Sequence, residues 1–264
     1  MQLITGRVFA LVFMLVSFAI FYAFMRRAMK GKVRKMRPLA GLQAIPESIG
    51  KAAETNHPVH YTPGTVGFSG GVAGNASQTF AGLSVLSYVA KLTAKYKVPL
   101  YVTVAYGELI PVVESVVRES YTSENRADAV SSETHVIFFP IAISNAPYAS
   151  GVLGLFERIK PAANIMIGAF YFEALAISEQ GFVQGAIQIA GTAMTAQIAF
   201  FVAACDYTLI GEEIFVAGAV VSQDATLLGC IAGQDLLKAI VFAMLVGGFI
   251  LQNLGVNLLG IMSI

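Results

Sequence analysis

Two long stretches without charge constrain this chain more than any other feature. Residues 8–25 carry no charged side chain, and residues 239–264 carry none either. An apolar helix of about 20 residues crosses the hydrocarbon core of a bilayer, so both stretches are long enough to span a membrane. We predict an N-terminal transmembrane helix in residues 1–25 and a C-terminal one in residues 238–264. A cleaved signal peptide is the alternative for the first, but no small-x-small cleavage site closes the run.

A cluster of positive charge follows the first apolar stretch, within residues 26–37. This basic collar holds seven of the 17 Lys and Arg residues: Arg26, Arg27, Lys30, Lys32, Arg34, Lys35 and Arg37. Positive residues that flank a span are retained on the cytoplasmic side. We therefore expect a cell-membrane protein with both termini outside and the intervening domain in the cytoplasm. The collar also suits anionic lipid headgroups, although fixing the topology would explain it equally well.

The segment between the spans is acidic. Residues 38–235 contain eight basic residues against sixteen acidic ones, a formal charge of −8. Nucleic-acid binding needs clustered Lys or Arg for phosphate contacts, so we expect no nucleic-acid partner. The two cysteines, Cys205 and Cys230, have neither CxxC nor Cys/His spacing. We therefore predict no metal site and no disulfide scaffold, and nothing indicates a cofactor.

Helical and strand patterns alternate through this segment. Pro46 is expected to open a short helix, and a brief strand near Pro58 leads into a Gly-rich segment, residues 64–74. Three helix-strand pairs follow, with strands predicted at 98–104, 135–139 and 164–168. Strands that alternate with helices indicate right-handed crossovers and a parallel sheet. The predicted fold class is α/β: a Rossmann-like three-layer domain with a mostly parallel sheet, residues 38–235, between two transmembrane helices.

The stretch from Phe182 to Cys205 allows two interpretations. It contains 24 residues without charge, which is long enough for another membrane span. Gly185 and Gly191 divide it, however, and buried parallel strands also read as continuous apolar runs. Three glutamines in hydrocarbon would be costly unless paired. We expect two buried β-rich pieces here, with a membrane span as the alternative.

A resemblance to a known family is specific in the second half of the chain. It rests on the runs 163–175, 185–192 and 200–213, which read ANIMIGAFYFEAL, GAIQIAGT and FFVAACDYTLIGEE, and on Gly41–Gly50 near the start. These runs resemble a family of prokaryotic membrane-anchored proteins catalogued only as a domain of unknown function. The resemblance implies this architecture over most of the chain, but it implies no reaction and no site residues.

The densest polar group lies near the end of the domain. Asp206 and its neighbours are expected at the carboxyl end of a strand, where open parallel sheets bind ligands. The candidate ligand-binding residues are Glu173, Glu179, Cys205, Asp206, Tyr207, Glu212 and Glu213. Converging carboxylates could form an acid/base pair or hold a divalent cation. Alternatively, Glu212 and Glu213 occupy a first helical turn, where acidic residues are common.

Other chemistry finds less support. The chain has three histidines and no Gly-x-Ser-x-Gly elbow, so a hydrolase triad is not indicated. The Gly-rich segment precedes a helix, where a phosphate cradle belongs, but it lacks both Gly-x-Gly-x-x-Gly and Gly-Lys-Ser/Thr. A flexible surface loop explains it better.

Two classes of function remain. The first is a membrane-anchored scaffold or assembly subunit without chemistry of its own, forming a homo-oligomer or joining a larger membrane assembly. Gly247, Gly248, Gly255 and Gly260 in the second span favour close helix contact. The second is a membrane-tethered sensor or enzyme that binds a small ligand around Asp206. A transporter would require residues 182–205 to lie in the membrane.

Overall fold

The computed structural model describes residues 8–31, 37–69, 75–141 and 144–253. These residues divide into two compact units. Residues 37–222 form an α/β domain, and the other unit contains the two long terminal helices.

Six parallel strands form one sheet in the described part of the domain. They are β1 Val59–Gly64, β2 Leu100–Val104, β3 Thr134–Phe138, β4 Ala163–Ala169, β5 Ile187–Thr192 and β6 Tyr207–Ile210. Their spatial order is β3-β2-β1-β4-β5-β6, and every pairing is parallel. This order reverses between β1 and β4, as in doubly wound nucleotide-binding folds. The predicted parallel sheet and Rossmann-like fold are confirmed.

Helices cover both faces of the sheet and make three layers. The helices of the domain are α2 Ala40–Thr55, α3 Asn75–Tyr96, α4 Ile110–Ser123, α5 Val130–Glu133, α6 Ala146–Ile159, α7 Glu173–Val183, α8 Thr195–Ala204 and α9 Glu213–Ser222. Helices α2, α3, α4 and α9 enclose the larger apolar core on one face. Helices α6, α7 and α8 enclose a smaller core on the other. The central strands β1 and β4 are buried along their whole length, as expected for parallel strands that are covered on both faces.

Helix α2 begins earlier than expected. Pro46 lies inside this helix rather than at its start, so that prediction was wrong. An interior proline removes one backbone hydrogen bond. The helix persists because Ile45 and Ile49 are fully buried in the larger core. The close contact of Gly41 with Leu209 of β6 adds to this packing.

Residues 182–205 combine a strand and a helix. The first of the two expected strand pieces is β5, which lies inside the sheet. The second is the helix α8, so the prediction of a strand there was wrong. Helix α8 has only 10 residues, too few to cross a bilayer, for which about 20 are needed. Phe201 is the residue of this helix that is buried in the small core, and the apolar side chains all round the helix leave no helical periodicity to detect.

The second unit is a pair of antiparallel helices. They are α1 Val8–Met29 and α10 Ala225–Asn253. A Cβ atom on Gly229 would lie 2.8 Å from the Met25 Cα, and one on Gly233 would lie 3.1 Å from a ring carbon of Phe21. Gly229 and Gly233 form a GxxxG motif, which lets two helices approach closely. The predicted domain extends to residue 235, whereas α10 begins at Ala225.

Both terminal helices are apolar on their outer surfaces. Each is long and apolar enough to cross a membrane, and neither buries any of its most apolar 18-residue window. Phe18, Phe242 and Phe249 each expose about two thirds or more of their surface. Gly247 has no neighbouring atom within 4 Å, so its face is open, while residues 254–264 lie outside the described residues.

Replacing Gly229 tests the seam between the two helices. The Gly229→Ala substitution should destabilise the helix pair by about 1–3 kcal/mol, because the new methyl group would meet the Met25 backbone. The matched control is Gly247→Ala, which adds the same methyl group to the same helix in open space. Unfolding of the full chain by SDS titration in detergent measures the difference. Equal effects of the two substitutions would contradict this packing.

Candidate functional site

The polar crevice of the domain lies where the strand order reverses. Helix α3 follows β1 on one face of the sheet, and α7 follows β4 on the other. Because the two chain segments leave the sheet in opposite directions, a crevice opens at the carboxyl ends of β1 and β4. Residues 65–69 after β1 and residues 170–173 after β4 border it.

Two glycines bring the ends of β1 and β4 into backbone contact. Gly64 has φ +98°, and a Cβ there would lie 2.6 Å from the carbonyl oxygen of Ala169. A Cβ on Gly168 would lie 2.0 Å from the Pro63 carbonyl oxygen. The Thr65 N–H donates to the Ala169 carbonyl at 2.8 Å. No larger residue fits at either glycine without moving a strand end.

A buried carboxylate, Glu173, joins three segments at this crevice. Its Oε1 accepts hydrogen bonds from the Thr65 hydroxyl and from the Tyr171 N–H at 2.8 Å. Its Oε2 accepts from Nδ2 of Asn145 at 2.8 Å. The Glu173 side chain is fully buried, and these three donors are neutral. Thr65, Asn145, Tyr171 and Glu173 form what we call the Glu173 cluster, which fixes the floor of the crevice.

A second carboxylate, Glu108, holds the Gly-rich segment. It lies in a 3₁₀ turn directly after β2. Glu108 accepts from the Phe68 N–H at 2.5 Å, the Ser69 N–H at 3.2 Å and the Ser69 hydroxyl at 2.7 Å. The bonds from Ser69 lower the pKa of Glu108. A Cβ on Gly67 would lie 2.2 Å from the Glu108 carboxylate, so a side chain at position 67 would displace that carboxylate from its place. The remainder of the segment, residues 70–74, lies outside the described residues.

Part of the predicted site lies at the amino ends of the strands, whereas the crevice lies at their carboxyl ends. Cys205, Asp206 and Tyr207 come at the amino end of β6, not at the carboxyl end of a strand, so their predicted placement was wrong. Asp206 accepts from the Gln188 N–H at 2.8 Å and thereby secures the start of β5. Burial raises the pKa of Cys205 to about 11, which keeps the thiol protonated at neutral pH.

The predicted convergence of carboxylates was also wrong. Glu173 is buried at the start of α7, whereas Glu179 is exposed farther along that helix. Glu212 is exposed before α9, and Glu213 pairs with Arg37 at 2.7 Å and accepts from the Ile210 N–H. Strand β6 has four residues and spans about 13 Å, which separates these glutamates from Asp206. Within the described residues, no group of three His, Cys, Asp or Glu side chains could hold a metal ion.

The basic collar is described only in part. Arg26 packs over the ring of Tyr22, and Arg27 packs over that of Phe24. Lys30 lies in the turn after α1, and Arg37 makes the ion pair with Glu213. Lys32, Arg34 and Lys35 lie outside the described residues. Binding of lipid headgroups by the collar stays a prediction.

A chain of buried polar side chains crosses the sheet, and the sequence did not predict it. His60 of β1 bonds Asn164 of β4 through Nδ1 at 2.8 Å and Thr103 of β2 through Nε2 at 2.9 Å. Asn164 donates to Gln188 of β5 at 3.0 Å. Tyr148 of α6 bonds Thr103 at 2.9 Å. The four strand residues lie on the same face of the sheet. A polar residue within each of these buried strands was the sequence signal that could have predicted the network.

The Gln188 end of this series of hydrogen bonds shows which atoms donate and which accept. The Gln188 amide donates to the carbonyls of Ser178 and Ala204, so its oxygen must accept from Asn164. The Asn164 oxygen must then accept from His60 Nδ1–H. Burial lowers the pKa of His60 from 6.5 to about 4, so the ring is neutral at pH 7 and its Nε2 accepts from the Thr103 hydroxyl.

This lowered pKa predicts an acid-sensitive domain. The stability due to neutral His60 is fully present above pH 6.5 and is lost as the pH falls toward about 4, because the unfolded chain then binds a proton that the folded chain excludes. The loss should amount to about 3 kcal/mol. The free energy of unfolding of the full chain, measured between pH 7.5 and 4.5, should become less pH-dependent in His60→Gln. His57→Gln, at an exposed position, is the control, and equal pH profiles for the two variants would refute the assignment.

Comparison with known proteins identifies a family but no activity. A family model described as "Domain of unknown function (DUF6754)" matches residues 2–262. Neither a curated protein nor a solved structure matches the chain. Because the family model extends over nearly the whole sequence, the chain belongs to the DUF6754 family, a domain of unknown function.

Proposed function

We propose that this protein is a membrane-anchored assembly subunit that joins copies of itself or a larger membrane complex through its α/β domain. The observation that carries the proposal is the apolar outer surface of α7 and α8. Proteins rarely leave large contiguous apolar patches in water unless a partner covers them. No chemistry is required of the domain in this role.

The α7–α8 surface consists of the exposed apolar side chains of these two helices and of Phe172. On α7 and the residue before it they recur at about helical spacing, and on α8 they lie in its second half. The members are Phe172 (52% exposed), Leu175 (41%), Phe182 (74%), Val183 (69%), Phe200 (39%) and Val202 (53%). The two helices pack on each other, so these side chains belong to neighbouring elements of one face.

Charge is scarce on this surface, which favours a protein partner. Helix α8 has no charged residue, and Glu179 is the exposed charge among the apolar side chains of α7. The whole stretch from Pro161 to Leu237 contains no Lys or Arg. An anionic lipid surface attracts basic segments, so such a face is poorly suited to it. Aromatic and aliphatic side chains with few charges are typical of interface cores.

The two terminal helices supply the anchor in this proposal. Their apolar outer surfaces suit the hydrocarbon core, and Arg26 and Arg27 lie in the last turn of α1, with Lys30 directly after it. Under the positive-inside rule, this end of α1 faces the cytoplasm. The antiparallel pairing with α10 then returns the chain to the outside. We infer a cell-membrane protein with a cytoplasmic domain and both termini outside.

The mass of the extracted particle tests the assembly proposal. The full chain, extracted in mild detergent, should form particles several times the 28.0 kDa chain mass. The double substitution Phe182→Glu and Val202→Glu should shift them toward the monomer, because it would bury two unpaired carboxylates in the contact. Tyr96→Glu, an exposed aromatic position on α3, is the matched control. Mass photometry provides the readout, and a monomeric unsubstituted protein would refute the proposal.

A second candidate function is binding of a small polar ligand in the crevice between β1 and β4. The observation that favours it is the reversal of strand order at the Glu173 cluster. Half-buried Asn145 and Tyr171 have polar atoms in this region, and Asn75 donates to the Tyr171 hydroxyl at 3.4 Å. In this candidate the binding site lies around Glu173, at the carboxyl ends of the strands, and not around Asp206, at their amino ends.

Ligand-induced stabilisation tests this second function. A panel of nucleotides, acyl thioesters and divalent chlorides should include one compound that raises the melting temperature of the full chain. At 100 times its Kd, that compound should increase the free energy of unfolding by about 2.7 kcal/mol. Glu173→Gln should abolish that stabilisation by disturbing the crevice floor. Glu179→Gln, on the exposed face of the same helix, should retain it. A panel without any stabilising compound, or equal effects of the two variants, would count against the crevice.

A further inference from the structure

The contact between Glu108 and the Gly-rich segment has the form of a bound anion. Two successive backbone N–H groups, of Phe68 and Ser69, point at one carboxylate, and the Ser69 hydroxyl is a third donor. Successive N–H groups that converge in this way form an anion-binding concavity. Gly67 leaves room for the carboxylate, since a Cβ there would lie 2.2 Å from its oxygen. The three donors and the bare glycine together form the amide site (Gly67, Phe68 and Ser69).

The carboxylate in this site comes from another element and is open to water. Glu108 belongs to the turn after β2, whereas the amide site follows β1. These contacts are on the exposed surface of the domain, so an anion from solution can reach the same donors. The donors favour the anionic form of Glu108, as the lowered pKa of that group shows. A phosphate or carboxylate of similar size would satisfy them in the same way.

The surroundings hold the amide site in shape without help from Glu108. The Phe68 ring stacks on Phe80 of α3, with ring centroids 4.9 Å apart. The Val66 carbonyl accepts from the Thr79 hydroxyl at 2.8 Å. Both contacts join the segment to α3 and involve no atom of Glu108. The site therefore has support that remains when the carboxylate leaves.

We propose that the amide site binds an anionic group of a ligand, a phosphate or carboxylate, and that Glu108 is an internal competitor which occupies the site until that ligand displaces it. A carboxylate tethered in the same chain has a high effective concentration at the site. A ligand must compete with it, so the apparent Kd equals the intrinsic Kd divided by the fraction of sites that Glu108 leaves free. Only a ligand that makes further contacts with the domain, or that is present at high concentration, therefore displaces Glu108 from the amide site. This inference goes beyond assembly and names a ligand class.

A single tryptophan reports on this site. The chain contains no Trp, so Phe68→Trp introduces a unique fluorophore beside the donors. The full chain in detergent with this substitution is titrated with inorganic phosphate at constant ionic strength. Adding Glu108→Ala should lower the half-saturating phosphate concentration by about tenfold or more, because the internal competitor is removed. Adding Glu114→Ala instead, which removes a carboxylate from α4, should leave the titration unchanged.

Further variants separate this inference from the others. Ser69→Ala in the Glu108→Ala background should weaken phosphate binding, because one donor is lost. If Glu108→Ala abolishes the response, or if Glu108→Ala and Glu114→Ala titrate alike, the inference is overturned. Chloride in place of phosphate at the same ionic strength should produce no change in fluorescence, and an equal response would show charge screening rather than a site. The signal arises at residue 68, so the inference can fail while the assembly and crevice proposals hold.

Discussion

The backbone contact between the ends of β1 and β4 is the constraint on which the rest of the domain depends. Gly64 and Gly168 permit the approach, and the Thr65 N–H bonds across it to Ala169. Because these strands lie at the reversal of the sheet, their contact sets where the two halves of the domain meet. Glu173 then joins the loops that leave both strands, and the polar chain through His60 connects the same strands deeper in the sheet. A side chain at either glycine would disturb all of these contacts together.

Apolar and neutral polar side chains occupy different parts of the protein. The large core contains apolar strands and helices, and the sheet face opposite it carries neutral polar groups that satisfy one another. Buried polar groups of this kind specify a unique arrangement because each unmade bond would be costly. Outside the core, the apolar surfaces of α1, α10, α7 and α8 remain uncovered. The proposals for anchoring and assembly both rest on this exposed apolar area.

Much of the fold was predictable, whereas the site was not. Alternating helical and β-branched patterns correctly indicated the parallel sheet and the three layers, since periodicity follows directly from burial. Helix α8 was mistaken for a strand because a short helix with apolar residues all round has no periodicity to detect. Asp206 was assigned to the wrong end of β6 because a four-residue strand separates polar residues that are neighbours in sequence. Two of the three partners of Glu173, Asn145 and Thr65, lie 28 and 108 residues away in the sequence, and no local pattern predicts these contacts.

Local physical preferences therefore account for what the sequence determined by itself. Apolar length indicated the two terminal helices, and alternation indicated the α/β class, because both depend on residues close together in the chain. The tertiary structure alone decided the strand order, the burial of Glu173, the tautomer of His60 and the occupation of the amide site by Glu108. Each of these joins residues from different elements. Such contacts are selected by the packing of the whole domain, which a local pattern does not encode.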